Sequence, residues 1–299
     1  MNKLALLAPL MLALAACNAG PPEPPKEPVA PTPPAAPAEP AKTTSMDAAA
    51  FWSRFDTILA AEHRGDKHRA RDQYRHPKET LQFFGLAPGM SVVEIWPGGG
   101  WYTEILAPAM RDAGSLTLAV QDDTDTAMPE FEREMVKQYK QNLDAHKDLY
   151  GQAKLITFNP PKANTLGPDG SADLVLTFRN VHNWVEAKGA ADAFAAFFKV
   201  LKPGGTLGVV EHRAAAGKSA DESFESGYIS EDAVTKLATD AGFQPSGKSE
   251  VNANPKDTKD YAKGVWTLPP VLIEGDKDRD KYLAIGESDR MTLRFVKPK

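Results

Sequence analysis

Apolar residues recur at helical spacing from Ala48 onward. Phe51, Phe55, Ile58 and Leu59 share one face of a helix predicted over Ala48–Arg64. A second helix is predicted over Lys78–Phe84, with Gly85 as its stop. Ser91–Ile95 is a short apolar run of strand length. From there strands and helices alternate. Strands are predicted at Ser115–Val120, Lys154–Phe158, Ala172–Phe178 and Thr206–Glu211. Helices are predicted at Trp101–Arg111, Met128–Leu149, Ala187–Leu201 and Ser230–Ala241, the last with Ser230 as its N-cap. Met291–Val296 alternates as a final strand. Strands separated by helices of this length imply an α/β, doubly wound sheet with helices on both faces.

The first 44 residues break this pattern. Asn2 and Lys3 precede an apolar stretch, Leu4–Leu14, too short to span a bilayer, which needs roughly 20 residues. Leu14-Ala15-Ala16-Cys17 resembles the lipobox of bacterial lipoproteins. That resemblance implies a signal peptide over residues 1–16, cleavage before Cys17 and lipidation of that cysteine. Asn18 in the next position resembles an outer-membrane sorting signal, with the chain facing the periplasm. Residues 18–44 are rich in proline, alanine and glutamate and have no apolar face. Fully extended, they reach roughly 80 Å, enough for a tether behind a lipidated Cys17. The folded domain is expected over residues 45–299. Cys17 is the only cysteine, so the domain has no internal disulfide and no thiolate metal site. A net charge of -5 gives no basic excess of the kind nucleic-acid binding needs.

The chemistry centres on "VVEIWPGGGWYTEIL", Val92–Leu106: a strand, an acid, glycines and the start of a helix. A G-x-G-x-x-G dinucleotide loop fits it poorly, because Thr103 stands where the third glycine belongs. From Leu86 to Phe243 the chain resembles the class I S-adenosylmethionine (SAM)-dependent methyltransferases. Glu94 matches the acid before the loop, and Gly98 and Gly100 match two of its glycines. "PDGSADLVL", "VLKPGGTLGVVE" and "YISEDAVTKLATDAGF" follow in the family's order. The resemblance implies a Rossmann-like sheet, mostly parallel with an antiparallel last strand. It also implies SAM as cofactor and a small molecule or envelope component as methyl acceptor.

Trp96 stands at the family's first glycine position, and Pro97 restricts it toward extended backbone, so the loop is expected to be reshaped, with the indole lining the pocket. Gln121 and Asp122 fall near the ribose-binding position after the second strand. Arg179 and Asn180 follow the fourth strand and are expected beside the cofactor. Methyl transfer needs positioning and, for a protonated acceptor, a base. His182 is the expected base, with Glu211 or His212 as its orienting partner. Tyr74, Arg75 and His76, in a segment before the sheet, and Trp184 are expected to contact substrate. The residues 252–270, rich in helix breakers, read as an insertion over the site. His182, Glu211 and His212 lack metal-binding spacing, so no metal is expected. The altered loop and the exported setting leave a second reading open: a ligand-binding lipoprotein on this fold without SAM chemistry.

Overall fold

The computed structural model describes residues 46–218 and 224–299. The expected signal peptide, Cys17 and the expected tether lie outside the described residues. Asp47 caps α1 (Ala48–Ala60) by accepting a hydrogen bond from the Ala49 amide at 2.8 Å. Phe51, Phe55 and Ile58 bury one face of this helix. The helix stops short of Arg64 because Ala61 is extended, with ψ 144°. Three short helices follow: α2 (Gly65–Arg69), α3 (Asp72–Arg75) and α4 (Pro77–Phe83). The first two are too short and polar to leave a periodic signal.

The alternating part of the chain builds β1 (Ser91–Ile95), α5 (Thr103–Met110), β2 (Ser115–Val120), α6 (Glu130–Ala145), α7 (Lys147–Tyr150) and β3 (Lys154–Thr157). It continues through β4 (Ala172–Phe178), α8 (Val181–Glu186), α9 (Ala190–Val200), β5 (Leu201–His212) and α10 (Glu231–Asp240). The end comprises β6 (Gln244–Ser249), α11 (Arg279–Ile285) and β7 (Arg290–Val296). The seven strands lie in the order β3-β2-β1-β4-β5-β7-β6. β1 to β5 pair in parallel, and β7 runs antiparallel to both β5 and β6. The expected sheet with its antiparallel last strand is therefore present. Other elements differ from expectation: the helix predicted over Met128–Leu149 breaks at His146 into α6 and α7, and β5 starts at Leu201 rather than Thr206. The helix predicted over Ala187–Leu201 starts at Ala190, and the "VHNWVE" ahead of it forms its own helix, α8. β6, "QPSGKS", was not predicted, because an edge strand of polar residues with a bulge at Pro245 carries no apolar alternation.

Strand alternation divides the core into two layers. Val92, Leu116, Leu118, Leu174 and Leu176 face α1, α4 and α5. Val93, Ile95, Val175, Leu207 and Leu293 face α9 and α10. β1 leads to β2 on one side and has β4 on the other. This reversal opens a crevice at the carboxyl ends of β1 and β4, the usual ligand position in such sheets. The layers are close-packed. A Cβ built on Gly208 of β5 would lie 2.6 Å from the Phe84 ring, which is itself buried. Gly208→Ala is expected to lower stability by about 1–3 kcal/mol through overpacking. Urea unfolding measures it, and an unchanged midpoint would contradict this packing.

Candidate active site

A cleft of about 970 Å³ lies over the carboxyl ends of β1, β4 and β5. On its β1 side the backbone turns sharply at Trp96, Gly98 and Gly100, with φ values of 46°, 60° and 85°. Trp96 is therefore left-handed, contrary to the extended backbone expected before Pro97. Its side chain supplies the restraint that holds it there. The indole Nε1–H donates to the Phe158 carbonyl at 2.7 Å, and the ring meets Trp184 edge-on with centroids 5.3 Å apart. The Trp96 amide also donates to the Ala119 carbonyl at 2.8 Å. The loop keeps the left-handed turn of a glycine while its side chain ties β1 to the end of β3. Trp96 lines the cleft without closing it, and side-chain positions built on Gly98 and Gly99 meet nothing within 4 Å.

Glu94, the penultimate residue of β1, is 1% exposed. Its carboxyl accepts from the Thr103 hydroxyl at 2.8 Å, and Thr103 also meets the Tyr139 hydroxyl at 2.9 Å. Burial raises the Glu94 pKa from 4.5 to about 8, against the opposing hydrogen bond from Thr103. Gln121 lines the cleft after β2 and donates to Glu132 of α6 at 3.3 Å. Burial, with Glu186 nearby, raises the Glu132 pKa. Asn180 also lines the cleft, and its side-chain amide donates to the Ile95 carbonyl and Thr177 hydroxyl at 3.0 and 3.1 Å, pinning β1 to β4.

On the β4–β5 side, Glu211 is completely buried. It accepts from the Val181 and His212 amides at 2.6 and 2.7 Å and from His182 Nδ1 at 3.2 Å. A carboxylate oxygen accepts, so Nδ1–H is the donor in this pair and Nε2 is the ring nitrogen free of it. His182 lines the cleft. His212 is held instead by the Ser288 hydroxyl, and its ring centroid is 5.7 Å from that of His182. Of the two expected partners, Glu211 is the one that hydrogen-bonds His182. Burial, with His182, Arg290, Arg179 and Arg75 nearby, lowers the His212 pKa well below the imidazole range.

Several expected contacts lie elsewhere. Asp122 does not line the cleft; it accepts from the Thr124 amide and hydroxyl at 3.0 and 2.6 Å, capping its own turn. Gly100 is turned from the cleft, with the Tyr139 ring 2.9 Å from a Cβ built on it. Trp184 is fully buried between Trp96 and Phe197, where it supports the loop and lies off the cleft lining. Of the segment before the sheet, Arg75 lines the cleft, while Tyr74 packs over Gly286 and His76 forms the left-handed joint between α3 and α4. Arg71, Glu132 and Arg290 also line the cleft, although no motif marks them. Trp266 and Pro270, from the predicted insertion, form part of its wall. Among the described residues, no group of three His, Cys, Asp or Glu is arranged to hold a metal ion.

No family model matches the sequence. The ubiquinone/menaquinone biosynthesis C-methyltransferase UbiE of Shewanella halifaxensis is 31% identical over 133 residues, covering 44% of this chain and 46% of that protein. The chain thus spans about half the length of the curated relative it matches. A putative sarcosine dimethylglycine methyltransferase from Galdieria sulphuraria superimposes with a TM-score of 0.52 at 13% identity, over 81% of this chain and 89% of that one. The phosphoethanolamine N-methyltransferase 2 of Haemonchus contortus, solved with SAM, does so with a TM-score of 0.52 at 14% identity, over 82% of this chain and 57% of that one. The fold is that of the class I methyltransferases.

The buried Glu94 has a measurable consequence. The folded state keeps a proton that the unfolded chain releases above its ordinary pKa. The contribution of Glu94 to stability is full below pH 4.5 and is lost as pH rises to about 8. Glu94→Gln is expected to remove this decline, which amounts to a few kcal/mol. Denaturation curves between these pH values check it, and parallel profiles for the two proteins would refute it.

Proposed function

We propose that the chain is a SAM-dependent methyltransferase acting on a small molecule or envelope component. The carrying observation is one cleft with a glycine turn on its β1–β2 side and a carboxylate-oriented imidazole on its β4–β5 side. The residues present fit the cofactor. The open backbone at Gly98 and Gly99 admits a polar ligand at close range, and Glu94 has no cationic partner near it. Glu94 would face the charged methionine end, with Gln121 and Glu132 at the ribose. Asn180 would fix the floor between them. The UbiE likeness and the SAM-bound structural neighbour support this reading.

SAM, when bound, supplies an electrophilic methyl group on a sulfonium. The protein's contribution is to align the acceptor and take up its proton. His182 Nε2 accepts that proton from the acceptor, while Glu211 holds the ring in place and stabilises the imidazolium. Two backbone amides hold the Glu211 carboxyl in place. His212, neutral at pH 7, adds no competing charge.

Calorimetric titration of the full chain with SAM and S-adenosylhomocysteine tests the proposal; no binding at about 1 mM would overturn it. His182→Ala is expected to cut transfer of tritium from methyl-labelled SAM to the small molecules of a cell extract by about 100-fold, with affinity for S-adenosylhomocysteine unchanged. Unaltered transfer would remove His182 from the mechanism.

The reading extends to a lipid anchor at Cys17, supported by the lipobox and the proline-rich segment after it. The domain would then stand off a membrane on its periplasmic side. Cys17→Ser is expected to shift the protein from the membrane to the soluble fraction of fractionated cells. Retention on the membrane would count against the anchor.

A further inference from the structure

Three arginines converge on one buried carboxylate. Arg71 and Arg75 donate to Glu287 through their Nε atoms, the latter at 3.0 Å, and Arg290 donates through Nη2. Arg179 lines the same wall, and none of the ion pairs among the described residues includes it. Arg75 and Arg290 are each 2% exposed. Nη1 and Nη2 of Arg75, Nη2 of Arg71 and Nε of Arg290 are buried without a hydrogen-bond partner.

Neighbouring acids are already engaged. Glu211 is held by His182 and two amides, and Asp289 by Arg213 and Lys259. Four guanidiniums thus face one carboxylate, Glu287, a formal excess of three positive charges, with the Arg75 guanidinium also lying over the Trp101 ring, 4.6 Å from its centroid. Burial and mutual repulsion lower the pKa of Arg75, and that of Arg179 to about 10. Burying unpaired charge is costly unless something supplies the missing partner. Guanidinium forks match a tetrahedral or planar oxyanion, which can accept several of these donors at once.

We infer that this cluster seats a dianionic oxyanion group, of phosphate type, on the methyl acceptor. A dianion cancels two of the three excess charges, where a monocarboxylate cancels one. The cluster lies on the β4–β5–β7 side of the cleft, the side of His182 and His212 and across from Gln121 and Glu132. Arg179 therefore belongs to the acceptor rather than to the cofactor. The inference rests on the methyl-transfer reading only in assigning the anion to an acceptor.

Calorimetry of the full chain with inorganic phosphate, at constant ionic strength, tests it with and without saturating S-adenosylhomocysteine. Phosphate is expected to bind one to one in both conditions. Arg179→Gln, which breaks no ion pair, is expected to weaken phosphate at least about tenfold and S-adenosylhomocysteine by less than about twofold. Absence of phosphate binding at about 10 mM, or equal phosphate affinity in the variant, overturns the inference. Competition between phosphate and S-adenosylhomocysteine also overturns it, because the arginines would then hold the cofactor's own carboxylate. If phosphate binds through Arg179 and S-adenosylhomocysteine does not bind, the oxyanion seat stands and the methyl-transfer reading falls.

Discussion

The cleft depends on a single carboxylate. Glu287 sits in the turn between α11 and β7, 2% exposed, and gathers guanidiniums from both ends of the domain. Arg71 lies 216 residues earlier and Arg75 lies 212 residues earlier. Burial works against the carboxylate, but Arg290, Arg75 and Arg71 together outweigh it and hold its pKa well below the ordinary range. The short helices before the sheet are thereby tied to the last strand. Arg290 strengthens the tie by donating to the Tyr74 carbonyl at 3.1 Å, and Asn252 by bridging the Thr80 and Thr292 hydroxyls, each at 2.9 Å. Removing one partner of such a buried ion cluster costs about 3–5 kcal/mol, because the remaining charges stay buried.

The two sides of the cleft differ in charge. Glu94, Glu132 and Glu186 stand toward β1 and α6, with two of them driven toward protonation by burial. Arginines and histidines stand toward β5 and β7. An anionic ligand is favoured at the arginine end, while a cation at the other end would have to draw the buried carboxyls back to their charged forms on contact. His182 and its buried carboxylate stand on the side of the arginines.

Much of this was legible in the sequence. Short apolar runs between helical segments from Ser91 to Phe178 marked β1 to β4, because strands buried on both faces carry continuous rather than alternating apolar residues. Glu94, His182 and Glu211 were readable because strand ends are where such sheets display chemistry. Arg290 and Glu287 were not, since no spacing rule connects them to Arg71 and Arg75. Tyr74, His76 and Trp184 stand beside the cleft lining rather than in it, where sequence position alone does not separate a brace from a lining residue. Asp122 shows the same ambiguity, because an aspartate after a strand can cap its own turn.

The Trp96 tie has an entropic side. A glycine at this position leaves the loop many conformations in the free protein, and a ligand must select one. Here the indole is hydrogen-bonded to Phe158 and braced by Trp184, so the turn has little freedom left to lose. Ligand affinity at this loop is then set by fit to a preset mould. Ligand exchange must rely on motion elsewhere, and the exposed Phe131 and Met135 of α6 stand in the cleft lining.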